Sequence, residues 1–298
     1  MRVIFFGSSE FAVPSLRAIA RDHDVVAVYT QPDRPAGRGM KLTPTPVRAD
    51  GAAQKLAVFT PERLDADFCD AAAALKPEAL VTASYGKILP RALLELPALG
   101  ALNIHPSLLP EYRGATPIQA ALRDGRHTTG VSVIWMNDKM DAGDIAIAET
   151  VPIAPEEDYG SLHDRLAVIG AQLVSRALID LATGRLTRER QDDSQATYTR
   201  PLRKEDLRIP LGDARSAVNV IRSLSPKPGA WLELRGKRVK VLRARAEDGA
   251  TQSDAGSIVS LSGDGPLIAC TRGALRLLQV VPEGKAATSG ADFARSLA

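Results

Sequence analysis

Residues 2–30 read RVIFFGSSEFAVPSLRAIARDHDVVAVYT and indicate the fold class. The apolar run at 2–6 ends at Gly7, which predicts a buried strand followed by a turn. A helix is predicted over 10–20, because two serines that can cap it come directly before an acidic first turn. The apolar stretch 24–30 predicts a second strand. This strand–helix–strand order is typical of an α/β protein with a doubly wound, mostly parallel sheet.

The same alternation of buried strands and helices continues through the first 184 residues. Further strands are predicted at 57–60, 79–85, 101–105, 131–136 and 145–153. Further helices are predicted at 62–75, 90–96, 116–123 and 158–182. We therefore assign residues 1–184 to one domain.

The character of the sequence changes after Gly184. Residues 185–204 are polar and lack a long periodic run, which predicts a linker. A short helix is predicted at 213–224, and from Trp231 onward apolar and polar residues alternate between glycine-rich turns. Short strands of this kind are typical of a small β-barrel or sandwich, here over 205–298.

Charge is unevenly distributed along the chain. From Lys204 to Ala298 there are 15 Lys and Arg against 10 Asp and Glu, whereas the first 203 residues hold 23 against 25. A basic C-terminal part indicates contact with a polyanion such as a nucleic acid. A basic surface that is merely solvated is the alternative explanation.

Composition and local motifs disfavour several classes of protein. The two cysteines, Cys69 and Cys270, lack the spacing of metal ligands, so no metal site is expected. No signal-peptide core and no run of about 18 apolar residues is present, so we expect a cytoplasmic protein without a membrane segment. Nothing in the sequence indicates more than a monomer.

The first turn, after Gly7, lacks the G-x-G-x-x-G pattern, which disfavours a nicotinamide-dependent dehydrogenase.

The stretch 102–117, LNIHPSLLPEYRGATP, contains the candidate catalytic residues. Asn103 and His105 are two residues apart near the carboxyl end of a predicted strand, so their side chains point to the same side. Open α/β sheets bind ligands at this edge. Asp141 follows the next predicted strand, and we expect it to lie beside His105.

A neutral amide beside a histidine and a carboxylate favours a particular chemistry. Asn103 can donate to an oxyanion, and Asp141 can orient His105 and relay protons. Without a serine or cysteine nucleophile, the set favours direct attack of a substrate amine on an acyl carbon. A hydrogen-bonded structural histidine is the alternative interpretation of His105.

Residues 31–48, QPDRPAGRGMKLTPTPVR, form a second unusual stretch. It contains four prolines, two glycines and the cations Arg34, Arg38, Lys41 and Arg48. Because proline disfavours helices and central strands, we expect an exposed irregular loop. Such a loop either stays solvated or binds the phosphates of a nucleic acid.

Two motifs carry a family resemblance. NIHPSLLPEYRGATPI at 103–118, followed by MDAGD at 140–144, resembles the formyltransferases that use 10-formyltetrahydrofolate. QPDRPAGRGMKLTPTPV at 31–47 is similar to the inserted loop of the family members that act on methionyl-tRNA. The resemblance covers essentially the whole chain. It implies formyl transfer from 10-formyltetrahydrofolate, without a metal, to the α-amino group of methionine on initiator methionyl-tRNA.

The resemblance also implies roles for individual residues, and an OB-like barrel as the C-terminal domain. The implied catalytic residues are Asn103, His105 and Asp141. The residues implied to line the folate pocket are Ser107, Leu108, Leu109 and Pro110. Arg38 is implied to contact the acceptor end of the tRNA. Further cations predicted to contact the tRNA are Arg34, Lys41, Arg203 and Lys204.

Other functions stay open on the sequence alone. A formyltransferase that acts on a glycinamide nucleotide or an amino sugar shares the catalytic set, but needs neither the 31–48 stretch nor a basic C-terminal domain. A non-catalytic RNA-binding protein with this fold would bind tRNA and ignore the folate donor. Residues 207–231 also lack two tryptophans that the family usually carries there.

Overall fold

The computed structural model describes residues 1–36, 39, 41–249 and 253–298. The strands, in chain order, are β1 (Arg2–Gly7), β2 (Asp24–Tyr29), β3 (Arg34–Ala36), β4 (Lys41–Thr43), β5 (Val58–Phe59), β6 (Ala79–Ala83), β7 (Ala101–His105), β8 (Arg113–Gly114), β9 (Thr128–Trp135), β10 (Ile145–Pro152), β11 (Tyr198–Thr199), β12 (Ala230–Leu234), β13 (Lys237–Glu247), β14 (Ile258–Ser260), β15 (Leu267–Ala269), β16 (Ala274–Pro282) and β17 (Thr288–Ser289). The helices are α1 (Val13–Asp22), α2 (Pro46–Ala53), α3 (Ala66–Ala74), α4 (Arg91–Leu94), α5 (Pro117–Arg123), α6 (Tyr159–Ala182), α7 (Ala214–Leu224) and α8 (Gly290–Leu297).

The chain divides into two compact units. The first unit comprises Met1–Gly114, Thr129–Pro152 and His163–Tyr198. The second unit comprises Ala115–Thr128, Ile153–Leu162 and Thr199–Ala298. The domain assignment made from the sequence, 1–184, 185–204 and 205–298, stays a prediction.

A seven-stranded sheet forms the centre of the first unit, in the order β10-β9-β7-β6-β1-β2-β5. Neighbouring strands from β7 to β5 are parallel, whereas β9 runs antiparallel to β7. The predicted mostly parallel α/β sheet is therefore confirmed. The parallel order brings the carboxyl ends of the central strands to one edge, where open α/β sheets bind their ligands.

The central strands of this sheet are buried on both faces. Val3, Ile4, Phe5 and Phe6 of β1 have no exposed surface. A continuous apolar run of this kind is typical of a parallel strand that is covered on both sides. Burial of each large apolar side chain stabilises the fold by about 1.5–3 kcal/mol, so this core holds the strand ends in place.

An antiparallel sheet dominates the second unit, in the order β12-β13-β16-β15-β14, with β17 paired to β16. Helix α7 contributes Val220, Ile221 and Leu224 to the hydrophobic core of this unit, which also contains Val239 and Leu277 of the sheet. The predicted strands and the helix that precedes them are confirmed, and the structure shows that these strands pair antiparallel. Closure of the sheet into an OB-like barrel stays a prediction.

The stretch 31–48 differs from the irregular loop predicted for it. Strands β3 and β4 pair antiparallel, and α2 begins at Pro46. The N–H of the first helical residue has no partner within a helix, so proline is tolerated there. Thr45 caps this helix, because its hydroxyl accepts from the Arg48 N–H at 3.1 Å. The prediction that prolines exclude regular structure throughout this stretch was wrong.

Candidate active site

Asn103 and His105 occupy alternate positions at the carboxyl end of β7. Both side chains approach Asp141, which lies in the loop between β9 and β10. Asn103 Nδ2 lies 3.3 Å from Asp141 Oδ1, and His105 Nδ1 lies 3.6 Å from Asp141 Oδ2. The structure therefore brings together the three side chains predicted to be catalytic, and their individual roles stay predictions.

The carboxylate of Asp141 is held by hydrogen bonds to both of its oxygens. Oδ1 accepts from the Asn103 amide, and Oδ2 accepts from the Gly114 backbone N–H at 2.8 Å. The side chain is 15% exposed. A carboxylate that accepts from two fixed donors has a defined orientation, which is what a proton acceptor beside a substrate requires.

The imidazole ring of His105 is buried and faces oxygen on both sides. Its Nε2 lies 3.0 Å from the carbonyl oxygen of Tyr112. A carbonyl only accepts, so this contact assigns a proton to Nε2. The other ring nitrogen, Nδ1, faces the carboxylate of Asp141. The ring can therefore exchange a proton only through Nδ1 without losing its contact with the backbone.

Thr82 orients the amide of Asn103. Its hydroxyl donates to Asn103 Oδ1 at 2.5 Å, which leaves the amide nitrogen directed at Asp141. The sequence analysis did not identify Thr82 as a site residue. Its place in the strand predicted at 79–85 is the feature of the sequence that points to Thr82. The pairing of Thr82 with Asn103 is seen only in the register of β6 and β7.

The segment predicted to line the folate pocket is held rigidly at two residues. Ser107 is fully buried and donates to the carbonyl of Glu111 at 2.6 Å. The hydroxyl of Ser132 donates to the Ser107 carbonyl at 2.8 Å and accepts from the Leu109 N–H at 3.2 Å. Leu109 is buried, whereas Leu108 and Pro110 are partly exposed. The partly exposed pair offers apolar surface to a ligand.

Four of the five cations predicted to contact tRNA are exposed. In the first unit, Arg34 and Lys41 are exposed on the β3–β4 hairpin. Arg38 lies outside the described residues. In the second unit, Arg203 and Lys204 are exposed, and the Arg203 side chain lies 3.9 Å from Glu205. Their contact with tRNA stays a prediction.

Metal-binding clusters and membrane-spanning helices are both absent from the described residues. No group of three or more His, Cys, Asp or Glu side chains in this part of the chain is arranged to hold a metal ion. Among the same residues, no helix is both long enough and apolar enough to cross a membrane.

Comparison with known proteins identifies the family of the chain. The pattern of the family described as Formyl transferase matches residues 1–178, and that of its C-terminal domain matches residues 201–298. The chain belongs to the formyl transferase family. Among its relatives, the methionyl-tRNA formyltransferase of Moorella thermoacetica is 43% identical, over 96% of this chain and 93% of the relative. The methionyl-tRNA formyltransferase of Pseudomonas fluorescens is 44% identical, over 96% of this chain and 91% of the relative.

Two solved structures share this fold at low sequence identity. An N-formyltransferase from Helicobacter canadensis, in complex with folinic acid and dTDP-3-aminofucose, aligns with a TM-score of 0.68 and 16% identity. That alignment covers 93% of this chain and 99% of the other. HypX from Aquifex aeolicus, in complex with tetrahydrofolic acid, aligns with a TM-score of 0.63 and 17% identity, over 98% of this chain and 46% of HypX.

Proposed function

We propose that this formyl transferase moves the formyl group of 10-formyltetrahydrofolate to the α-amino group of methionine on initiator methionyl-tRNA. The observation that carries the proposal is the cluster of Asn103, His105 and Asp141 at the carboxyl edge of the sheet. The acceptor, methionyl-tRNA, is inferred from the relatives. These are named methionyl-tRNA formyltransferases and match nearly the whole chain.

Asn103 stabilises the charge that develops during transfer. As the amine attacks the formyl carbon, negative charge builds on the formyl oxygen. An amide nitrogen has two N–H groups, of which one is directed at Asp141 and the other can donate to that oxygen. Because Thr82 fixes the amide orientation, the donor is in place before the reaction begins.

His105 and Asp141 manage the protons. Asp141 accepts a proton from the attacking amine, directly or through water, and its two hydrogen bonds keep the carboxylate oriented for this step. His105 takes up that proton from Asp141 at Nδ1 and passes it to the nitrogen that loses the formyl group, while Nε2 stays bonded to the Tyr112 carbonyl, so the carboxylate and the neutral ring are both restored. General acid–base steps of this kind typically contribute about 10²–10⁴-fold in rate.

The formyl donor is bound by the segment Ser107–Pro110 in this proposal. 10-Formyltetrahydrofolate carries the formyl group on N10, the nitrogen between a reduced pterin and an aminobenzoyl ring, and both rings present apolar faces. The partly exposed Leu108 and Pro110 can pack against such a ring, and the buried Ser107 and Leu109 keep the segment rigid. The chemistry of the residues therefore fits the donor.

In this proposal the exposed cations of both units contact tRNA phosphates, and the net positive charge of residues 204–298 has the same purpose. The β3–β4 hairpin and the C-terminal part of the chain carry exposed cations, which would neutralise phosphates of the tRNA. We further propose that the protein acts as a monomer in the cytoplasm, where charged tRNA is used. Size-exclusion chromatography with light scattering measures the oligomeric state.

The deciding experiment is transfer of labelled formyl from 10-formyltetrahydrofolate to purified methionyl initiator tRNA, with methionyl elongator tRNA in parallel. Formylation of the initiator alone supports the proposal, and His105→Ala serves as the inactive control. Binding of the donor without transfer to either tRNA would refute the proposed acceptor. The proposed acceptor would then be a small amine and not methionyl-tRNA.

A further inference from the structure

A segment after α6 returns to the loop that carries Asp141. Residues Ile145 and Glu189 form an antiparallel bridge, with N–O distances of 2.7 and 2.9 Å in the two directions. The Thr187 hydroxyl donates to the carbonyl of Ala146 at 3.1 Å. This pairing places Gln191, which is 6% exposed, against the backbone of the 141–143 loop.

The side-chain amide of Gln191 uses its full hydrogen-bonding capacity. Its nitrogen donates to the carbonyl of Asp141 at 2.9 Å and to that of Gly143 at 2.7 Å. Its oxygen accepts from Arg113 twice, from Nε at 3.1 Å and from Nη2 at 2.8 Å. A glutamine amide has two donor hydrogens and two acceptor lone pairs, so every position is occupied.

Arg113 connects this amide to the other side of the site. Its side chain is 2% exposed and also pairs with Asp193 at 2.7 Å. The residues on either side of it, Tyr112 and Gly114, supply the carbonyl that accepts from His105 and the N–H that donates to Asp141. The Gln191–Arg113 pair therefore links the backbone of Asp141 to the two backbone groups that hold the catalytic side chains.

The 141–143 loop requires such support because its backbone is strained. Asp141 has a φ of +50°, in the left-handed region that residues with a side chain seldom adopt. A Cβ atom at Gly143 would lie 1.6 Å from the carbonyl oxygen of Trp135, so the loop also runs unusually close to β9. Hydrogen bonds from one buried amide to both carbonyls oppose relaxation of this loop.

We propose that Gln191 is a positioning residue that sets the distance between the Asp141 carboxylate and the His105 ring. The proposal rests on the proposed function, since it assigns both side chains to proton transfer. It predicts that loss of the Gln191 amide impairs the chemical step more than the binding of either substrate.

The test compares Gln191→Met and Gln191→Glu with the control Thr187→Val. Methionine retains the length of the side chain and removes all four hydrogen bonds. Glutamate retains an acceptor for Arg113 but replaces both donors with an oxygen that faces the two carbonyls. Thr187→Val removes one hydrogen bond from the same segment to Ala146 and leaves the Asp141 loop untouched.

Four measurements are made on the full chain: Tm, steady-state kcat and KM for both substrates, the pH profile of kcat, and the ¹⁵N chemical shifts of the His105 ring without substrate. A displacement of about 1 Å at a reacting group can cost about 10²-fold, so we expect kcat to fall by about that factor in both Gln191 variants. We expect KM values close to wild type, altered His105 shifts and a changed pH profile of kcat. Thr187→Val should change Tm alone.

The proposal is overturned if either folded Gln191 variant retains the wild-type kcat, pH profile and His105 shifts. A lowered Tm with those three unchanged would show a structural role only. If the wild-type protein transfers no formyl to methionyl-tRNA, the proposed function fails instead. The His105 shifts need no substrate, so they still decide whether Gln191 positions the ring and the carboxylate.

Discussion

Nδ1 of His105 faces Oδ2 of Asp141 across 3.6 Å, which is too long for a direct hydrogen bond. Because Nε2 donates to the Tyr112 carbonyl, a neutral ring presents a lone pair toward the carboxylate. Two acceptors that face each other favour a hydrogen-bond donor between them. A substrate amine is such a donor, and our proposal therefore places the attacking nitrogen near this gap.

Replacement of Asp141 tests this arrangement. Asp141→Asn keeps the shape and tolerates the left-handed backbone, but its amide nitrogen would face one of the two donors that now hold the carboxylate. We expect kcat to fall by about 10²–10⁴-fold, with little change in Tm. Steady-state kinetics and thermal unfolding measure the two effects. His105→Ala should lose a similar factor, and near-wild-type turnover in both variants would contradict the assigned roles.

Thr82 should affect the rate through Asn103. Thr82→Val has nearly the same shape and removes the hydroxyl that donates to Asn103 Oδ1 at 2.5 Å. The amide is then free to rotate, and a hydrogen bond is typically worth about 1–1.5 kcal/mol, so we expect kcat to fall by about tenfold. Thr82→Ser, which retains the hydroxyl, is the matched control. Equal kcat values for the valine and serine variants would exclude this role.

The cations of the 31–48 stretch should affect tRNA and spare the donor. Arg38→Ala is expected to raise KM for methionyl-tRNA and to leave KM for 10-formyltetrahydrofolate unchanged. Loss of one phosphate contact should also reduce the salt dependence of tRNA binding by about one unit of slope in a log–log plot. Arg63→Ala, at an exposed arginine outside this stretch, is the control. A tRNA KM and salt slope equal to wild type would remove Arg38 from the interface.

Gly143 should tolerate no side chain. A Cβ atom there meets the backbone oxygen of Trp135 at 1.6 Å, and no side-chain rotation relieves that clash. We expect Gly143→Ala to destabilise the protein by about 1–3 kcal/mol or more, and to reduce kcat because Asp141 lies two residues away. Gly212→Ala is the matched control, since no atom lies within 4 Å of its Cβ position. Thermal unfolding should separate the two variants clearly, and equal Tm values would show that the loop relaxes freely.

Asp206 should contribute a pH-dependent part of the stability of the second unit. Hydrogen bonds from the Arg200 guanidinium, followed by the Arg203 N–H, lower the pKa of Asp206 to about 2. A lowered folded-state pKa stabilises the protein above the ordinary carboxyl pKa, and this contribution is lost as the pH falls through the folded-state value. Asp206→Asn should therefore lower Tm at pH 5, and the difference from wild type should shrink between about pH 4 and pH 2.

Asp254→Asn, at an exposed carboxylate, is the control for this pH series. A difference between Asp206→Asn and wild type that stays constant from pH 5 to the acid limit would contradict the assignment. Arg203 is also a predicted tRNA contact, and its backbone N–H donates to Asp206. The KM of Asp206→Asn for methionyl-tRNA therefore tests whether Arg203 depends on Asp206 for its position.

The strands and the pair of Asn103 and His105 were accessible to sequence reasoning for a physical reason. The strand predicted at 101–105 matches β7, and its period of two places Asn103 and His105 on one side. The expected position of Asp141 beside His105 agrees with the structure, but the edge rule for parallel strands does not explain it, because β9 runs antiparallel to β7. The path of the 136–144 loop, which carries Asp141 back to this pair, follows from no local pattern.

The residues that support the site were not accessible in this way. Thr82 reaches Asn103 only because β6 and β7 adopt one particular register. Gln191 reaches Asp141 across 50 residues, through a two-residue bridge that carries no hydrophobic pattern. The hairpin of β3 and β4 was missed because proline content argues against strands in general, whereas an isolated pair of strands can accept proline at its edge.

The fully occupied amide of Gln191 has a consequence for how the enzyme meets its substrates. The loop of Asp141 is assembled by protein groups alone, so neither donor nor acceptor has to order it on arrival. Binding energy from a large acceptor such as tRNA is then available to discriminate between acceptors. A preassembled centre of this kind would react with any amine that reached it, so selectivity has to be exercised by the surfaces that control access.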